Sequence, residues 1–158
     1  MASQSAAVRR EDADETLLGA AEILGGRRVW KHPPSSKFEV HESILEGIPG
    51  RALTHFLHHR HFPIKVVAGI LGISSRTVQR VTESAGSLKA DPGARLWKLA
   101  EILSAAAKLQ GGLKEGKEWL EMPAPALNQK TPLEMMTTQA GAEMVERLLV
   151  RLKYGVYT

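Results

Sequence analysis

The sequence predicts an all-α fold, and three features support that prediction. In several segments, apolar residues recur at spacings of three and four, which place side chains on one face of a helix. Gly and Pro residues separate these segments, as is typical of helix boundaries. Outside a short stretch near Phe38, no segment suggests a strand. With 158 residues, 43% of them hydrophobic, the chain is long enough to bury a core.

The first part of the chain, residues 1–46, is predicted to be an N-terminal extension. Residues 1–13 are small, polar and charged, so we expect them to be partly disordered. A helix is predicted over Glu15–Leu24, before the Gly25-Gly26 pair stops it. Its apolar stripe consists of Leu17, Leu18, Ala21 and Leu24.

A linker is predicted to follow this helix, because Pro33 and Pro34 cannot continue one. It covers Arg27–Ser36. The next stretch, Phe38–Ile48, could be a short strand or a helical turn, and we favour the helical turn.

Residues 47–110 are predicted to form a helix-turn-helix domain with a long connecting helix. Leu53, Phe56 and Leu57 would form the inner face of a first helix. The motif itself is Ile64–Glu83, with Gly72 at the turn and Ser74 or Ser75 capping the second helix. The residues expected to face inward are Val67, Ala68, Leu71, Ile73, Val78 and Val81.

The outer side of the second helix carries hydroxyl, amide and guanidinium groups, which contact phosphates and base edges in DNA. The candidate DNA-binding residues are Ser74, Ser75, Arg76, Thr77, Gln79 and Arg80. From residue 51 to residue 82 the chain has five Lys or Arg and no Asp or Glu, whereas the whole chain has a net charge of only +4. A positive field in this segment favours a polyanionic partner, here double-stranded DNA.

Four histidines lie close together just before this motif, at His55, His58, His59 and His61. Their spacing of three and four along a helix could suit zinc. No Asp, Glu or Cys lies nearby in the sequence to complete a site, so exposed or phosphate-facing histidines are favoured and no metal is predicted. If exposed, they would strengthen DNA binding as the pH falls.

The long connecting helix is predicted to start with Asp91 as its cap and Pro92 in its first turn, and to end at Gly111-Gly112. From Arg95 to Gln110 its apolar residues follow a helical spacing. Those residues are Leu96, Leu99, Ala100, Leu103, Ala106 and Ala107.

Residues 111–158 are predicted to form a small helical module. A short helix at Leu113–Glu121 buries Trp119 and Leu120, and a loop covers residues 122–129. Thr131 and Glu134 form a capping box around Pro132. The last helix is predicted at about Gly141–Lys153, with Val145, Leu148, Leu149 and Leu152 facing inward.

Residues 47–158 resemble a known family. The motifs are ILGISSRTVQR at residues 70–80, EWL at residues 118–120, PAPALNQKTPLE at residues 123–134 and YGVY at residues 154–157. Their order and spacing resemble the Xre/MbcA/ParS antitoxins, in which a helix-turn-helix precedes a toxin-binding module.

The resemblance implies an antitoxin, not an enzyme, that blocks a RES-domain toxin that degrades NAD. It also implies repression of its own operon through operator DNA. In the family the C-terminal end obstructs the active site of the toxin. Carried over by position, the toxin-binding residues are Arg147, Arg151, Lys153, Tyr154, Gly155, Val156 and Tyr157. A homodimer is expected, because a single short recognition helix buries little DNA surface.

Composition narrows the alternatives. The chain has no cysteine, which fits a reducing compartment and removes thiolate chemistry. We find neither a signal-peptide core nor a bilayer-length apolar run, so a cytoplasmic location without a membrane partner is expected, and no cofactor is predicted. Two alternatives stay open: a stand-alone regulator whose C-terminal module only dimerises, and a small metal-dependent enzyme using the histidine cluster.

Overall fold

The computed structural model describes residues 2–155. The N-terminal part forms α1 (Ala2–Ile23), a 3-10 turn (Gly26–Arg28) and α2 (Lys37–Glu46). The middle part forms β1 (Ile48–Pro49), α3 (Gly50–Arg60), α4 (Ile64–Leu71), α5 (Ser75–Glu83) and β2 (Ser87–Leu88). The C-terminal part forms α6 (Ala90–Gln110), α7 (Leu113–Leu120), a 3-10 turn (Pro125–Leu127), α8 (Pro132–Met135) and α9 (Gln139–Lys153). The predicted all-α class is confirmed.

Helix α6 is the centre of the packing. Helices α1, α7 and α9 lie against it, and α2 and α4 contact it as well. Its buried side chains are Leu96, Trp97, Leu99, Ala100, Ile102, Leu103 and Ala106. These residues belong to one cluster that includes buried residues of the N-terminal, middle and C-terminal parts. The predicted division into residues 1–46, 47–110 and 111–158 stays a prediction.

A two-residue antiparallel pairing joins the start of α3 to the start of α6. Ile48 pairs with Leu88 and Pro49 with Ser87, and the Gly50 N–H donates to the Gly86 carbonyl at 2.8 Å. This pairing closes the segment that contains α3, α4 and α5. The strand at residues 87–88 was not predicted, because two residues are too few to show a strand pattern.

The expectation of disorder near the N-terminus is wrong for residues 2–13, which are helical. Ala, Arg and Glu favour helix, and no Gly or Pro interrupts residues 2–13. Asp12 and Glu15 also form ion pairs with Lys108 of α6. Leu18 was expected to face the core, but half of its surface is exposed.

The predicted linker packs more closely than expected. Val29 is buried, and the rings of Trp30 and Trp97 meet edge to face with centroids 6.5 Å apart. Phe38–Ile48 is helical from its start to Glu46, as favoured. Among the residues described, no helix is long and apolar enough to cross a membrane.

The start of α6 differs from its prediction, whereas its end agrees. Lys89 is the residue before the first turn, because the chain leaves β2 at Leu88 and enters the helix at Ala90. Asp91 therefore lies inside the first turn, where its carboxylate pairs with Arg95 at 3.2 Å. Gly111 ends the helix in a left-handed conformation, as predicted.

Candidate functional site

The turn between α4 and α5 has the geometry that a helix-turn-helix requires. Gly72 ends α4 with a φ of 70°, a left-handed conformation that a residue with a Cβ adopts at a cost. The Ser74 hydroxyl then caps α5 by accepting the Thr77 N–H at 3.0 Å. Of the two serines proposed as the cap, Ser74 is the one that occupies the position.

The inner residues of the motif are placed as predicted. Val67, Ala68 and Leu71 of α4 are buried, as are Val78 and Val81 of α5. These contacts fix the rotation of α5 about its own axis. Once that rotation is fixed, the opposite side of the helix must face solvent.

Most of the proposed DNA-binding residues share this solvent-facing side of α5. Ser75, Arg76, Gln79 and Arg80 are exposed, and Thr77 is half-buried beneath them. An open depression here is lined by Arg76, Thr77, Gln79, Arg80, Glu83 and Ser84. A shallow cationic face with amide and hydroxyl groups can contact phosphates and base edges together.

Arg95 of α6 contacts the turn between α4 and α5. Its guanidinium lies next to Gly72, pairs with Asp91, and donates to the Thr137 carbonyl of the loop before α9 at 3.3 Å. Sequence reasoning missed this role, because Gly72, Arg95 and Thr137 are far apart along the chain.

The four histidines do not form one site. His58, His59 and His61 are exposed, as favoured, whereas His55 is half-buried beside Gly25. The His55 and His59 rings lie together, with centroids 4.1 Å apart. Burial is the main reason why the pKa of His55 is lowered, and the nearby charges of His59 and Arg60 lower it further. Within residues 2–155, no three His, Asp or Glu side chains come together in an arrangement that could hold a metal.

A second exposed face lies on α9, a helix that begins at a side-chain cap. The Thr138 hydroxyl caps the helix by accepting the Gly141 N–H at 3.0 Å, and the predicted capping box of α8 is present just before it. Val145 and Leu149 are buried against the core. The helix is also tied to α6 by the ion pair between Lys98 and Glu146, at 2.6 Å.

The proposed toxin-binding residues on α9 fall into two groups. Arg147, Arg151 and Tyr154 are exposed on the side opposite Val145 and Leu149. Lys153 lies on the flank of the helix, where its ammonium pairs with Asp12 of α1. Gly155 is exposed with a φ of 67°, and Val156 and Tyr157 lie outside the described residues.

The structure adds apolar residues to this face that sequence reasoning missed. Val150 is 54% exposed and lies between Arg147 and Tyr154 on the outer side of α9, while Met144 is exposed at its edge. The helical spacing of residues 147, 150, 151 and 154 was the available signal. Exposed apolar, aromatic and arginine side chains on one helix are typical of a protein-binding surface.

The fold and these two faces define a helix-turn-helix protein with a C-terminal binding module. Two protein-family models match the chain: an antitoxin Xre-like helix-turn-helix domain over residues 39–101, and an antitoxin Xre/MbcA/ParS C-terminal toxin-binding domain over residues 105–155. The first match contains α3, α4 and α5, and the second contains α7, α8 and α9.

Curated relatives cover most of the chain. Antitoxin Xre of Pseudomonas putida is 31% identical over 121 residues, or 77% of this chain and 75% of that protein. Antitoxin Xre of Yersinia enterocolitica is 32% identical over 137 residues, or 84% and 92%. A Prs ADP-ribosylating antitoxin of Sphingobium is 24% identical over 123 residues, or 72% and 77%. The chain belongs to the Xre/MbcA/ParS antitoxin family and is an antitoxin of a toxin–antitoxin system with a helix-turn-helix domain.

Proposed function

We propose that this antitoxin blocks a RES-domain toxin with the outer face of α9 and the residues after it, and that α5 binds operator DNA to repress the operon. The observation that carries the proposal is the separation of two exposed faces on one core. Arg76, Gln79 and Arg80 form the DNA face, whereas Arg147, Val150 and Tyr154 belong to the toxin face.

Several features support a protein partner at α9. Val150 and Tyr154 are about half exposed, and burying them against a partner removes apolar surface from water. Arg147 and Arg151 lie beside them, and arginine and tyrosine are frequent anchors in protein interfaces. The RES identity of the toxin rests on the family resemblance, and the name of the Sphingobium relative, Prs ADP-ribosylating antitoxin, is compatible with it.

The toxin half of the proposal is tested with the protein encoded by the neighbouring gene. Co-expression should yield a stable complex, and Val150→Asp or Tyr154→Ala should weaken it by about tenfold or more, because each removes apolar contact from the interface. Lys114→Ala, an exposed change on α7, is the control. Equal binding by wild type and the two α9 variants would contradict the assignment of this face.

The DNA half is tested with the promoter of the protein's own operon. Arg76→Ala combined with Arg80→Ala should lower affinity by at least about tenfold and flatten its salt dependence, because fewer counterions are released. Lys114→Ala with Lys130→Ala removes the same charge elsewhere and should have little effect. Affinity that survives the α5 change at moderate salt would refute the proposal.

One alternative is a regulator whose C-terminal module only forms dimers. The proposal is favoured over this alternative only if the neighbouring gene encodes a product that forms a complex with the antitoxin. Analysis of the neighbouring reading frame and of the mass of the purified complex separates the two.

A further inference from the structure

Helix α1 lies along α6 in the opposite direction. Gly19 of α1 packs beside Ser104 of α6, and Asp12 and Glu15 pair with Lys108, close to the end of α6 at Gln110. As the chain is followed back from Gly19 to Asp12, its partners on α6 advance from 104 to 108. The residues before Asp12 therefore extend past the last turn of α6.

The exposure of these residues agrees with that geometry. All side chains described between Ser3 and Glu11 are exposed, whereas Leu17, Ala20 and Ala21 further along α1 are buried. We call Ser3–Glu11 the overhang. It is a helical segment of more than two turns that packs little against the core, although a polar helix of this length is marginal in water by itself.

The residue that follows the overhang, Asp12, contacts the end of α9. The Asp12 carboxylate is shared between Lys108 of α6 and Lys153 in the last turn of α9. Lys153 in turn lies over the Tyr154 ring, with its ammonium 5.7 Å from the ring centroid. The hydrogen bond from Lys153 is the main reason why the pKa of Asp12 is lowered. Asp12, the residue directly after the overhang, thus joins α1 to the end of α9 by direct contact.

Val8 is the residue that makes the overhang suited to binding. It lies one helical turn before Asp12 on the same side of α1, and 49% of its surface is exposed. Tyr154 and Val150 at the end of α9 are exposed to a similar degree. Exposed apolar side chains near the contact between two helices can bury surface against the same partner.

From this continuity we propose that the overhang is a second toxin-binding element, contacting the toxin through Val8, and that Asp12 positions it beside Tyr154. The proposal rests on the proposed function of α9. Toxin binding would then bury part of the overhang, whose described side chains are exposed in the unbound antitoxin.

The test measures the affinity of the full-length antitoxin for the neighbouring gene product. Val8→Asp should weaken binding by at least about tenfold, because a carboxylate would be placed in an apolar contact. The matched control is Ala6→Asp, which adds the same charge on the opposite side of α1. Val8 and Ala6 are both exposed, so the thermal unfolding midpoint and promoter affinity should stay unchanged in both variants.

Asp12 is tested in the same way. Asp12→Asn should weaken toxin binding by about two- to fivefold, as expected for a partly exposed ion pair. Its control is Asp14→Asn, whose carboxylate forms no ion pair among residues 2–155. If wild type binds the toxin and Val8→Asp binds equally well or more tightly, the second element is refuted while the α9 assignment stands. If wild type does not bind at all, the proposed function itself fails.

Discussion

Single side chains determine where several helices begin. Ser74, Thr131 and Thr138 each accept a backbone N–H from the residue three positions later. Such caps contribute about 1 kcal/mol each and depend on only four consecutive residues. For this reason the capping box at Thr131 and Glu134 could be predicted from sequence with its hydrogen bonds.

The capping box gives a pH prediction. The pKa of Glu134 is lowered below 4.5 because its carboxylate accepts the Thr131 N–H at 2.7 Å. The stabilisation is complete above the unfolded-state pKa near 4.5 and is lost as the pH falls through the lower folded-state pKa. As the pH falls below about 5, wild type should therefore lose thermal stability more steeply than Glu134→Gln.

A calorimetric series over that pH range measures this difference. Glu118→Gln removes an exposed carboxylate that takes part in no ion pair of the described residues, and its pH profile should follow wild type. A Glu134→Gln profile parallel to wild type would show that the capping contact has no influence on acid stability.

At the scale of elements, a glycine of α4 and a glycine of α7 differ in the space that surrounds them. A Cβ added at Gly69 on the exposed side of α4 would meet nothing within 4 Å, whereas one at Gly116 would lie 2.6 Å from the backbone nitrogen of Ala107. Gly116 therefore permits the close crossing of α7 over α6. Within the antitoxin, no contact of the described residues requires glycine at position 69.

We expect Gly69→Ala to stabilise the fold by about 0.5–1 kcal/mol, because alanine loses less backbone entropy in a helix. Chemical denaturation measures the change. Gly116→Ala should shift the midpoint in the opposite direction, since the backbone of α6 cannot move away easily. If Gly69→Ala destabilised the fold instead, the added methyl group would have to clash with a neighbouring group, although none lies within 4 Å of it.

Long-range contacts explain the elements that sequence patterns missed. Residues 2–13 form a polar helical segment, in which Asp12 pairs with Lys108, 96 positions away, and with Lys153, which lies still further along the chain. The pairing of Ile48 with Leu88 is also non-local. No local pattern of polarity or periodicity contains such information.

At the scale of the whole molecule, one helix supports both faces. Helix α6 contacts α4 of the helix-turn-helix motif and α7 and α9 of the toxin-binding domain. Arg95 adds a direct link, because it lies beside Gly72 and donates to Thr137. The two proposed binding faces are therefore parts of one packed body.

The nine-residue recognition helix α5 predicts two copies on each operator. Two half-sites should lie about 34 Å apart, one helical turn of DNA, because each copy reads one major groove. Light scattering of the complex should give two antitoxins per operator. Inserting about half a turn of DNA between the half-sites should lower affinity by about tenfold or more, whereas inserting a full turn should be tolerated better. Affinity that is insensitive to spacing would argue for independent binding.

The sequence by itself determined the helical class, the helix-turn-helix, the outward side of α5 and the capping box at Thr131. Each depends on residues within one or two helical turns of each other, where periodicity and capping act. Only the tertiary structure decided that residues 2–13 are helical and that Lys153 pairs with Asp12. It also decided that Arg95 connects the turn at Gly72 to the loop before α9. These features arise from contacts between distant segments, which form only when the helices pack around α6.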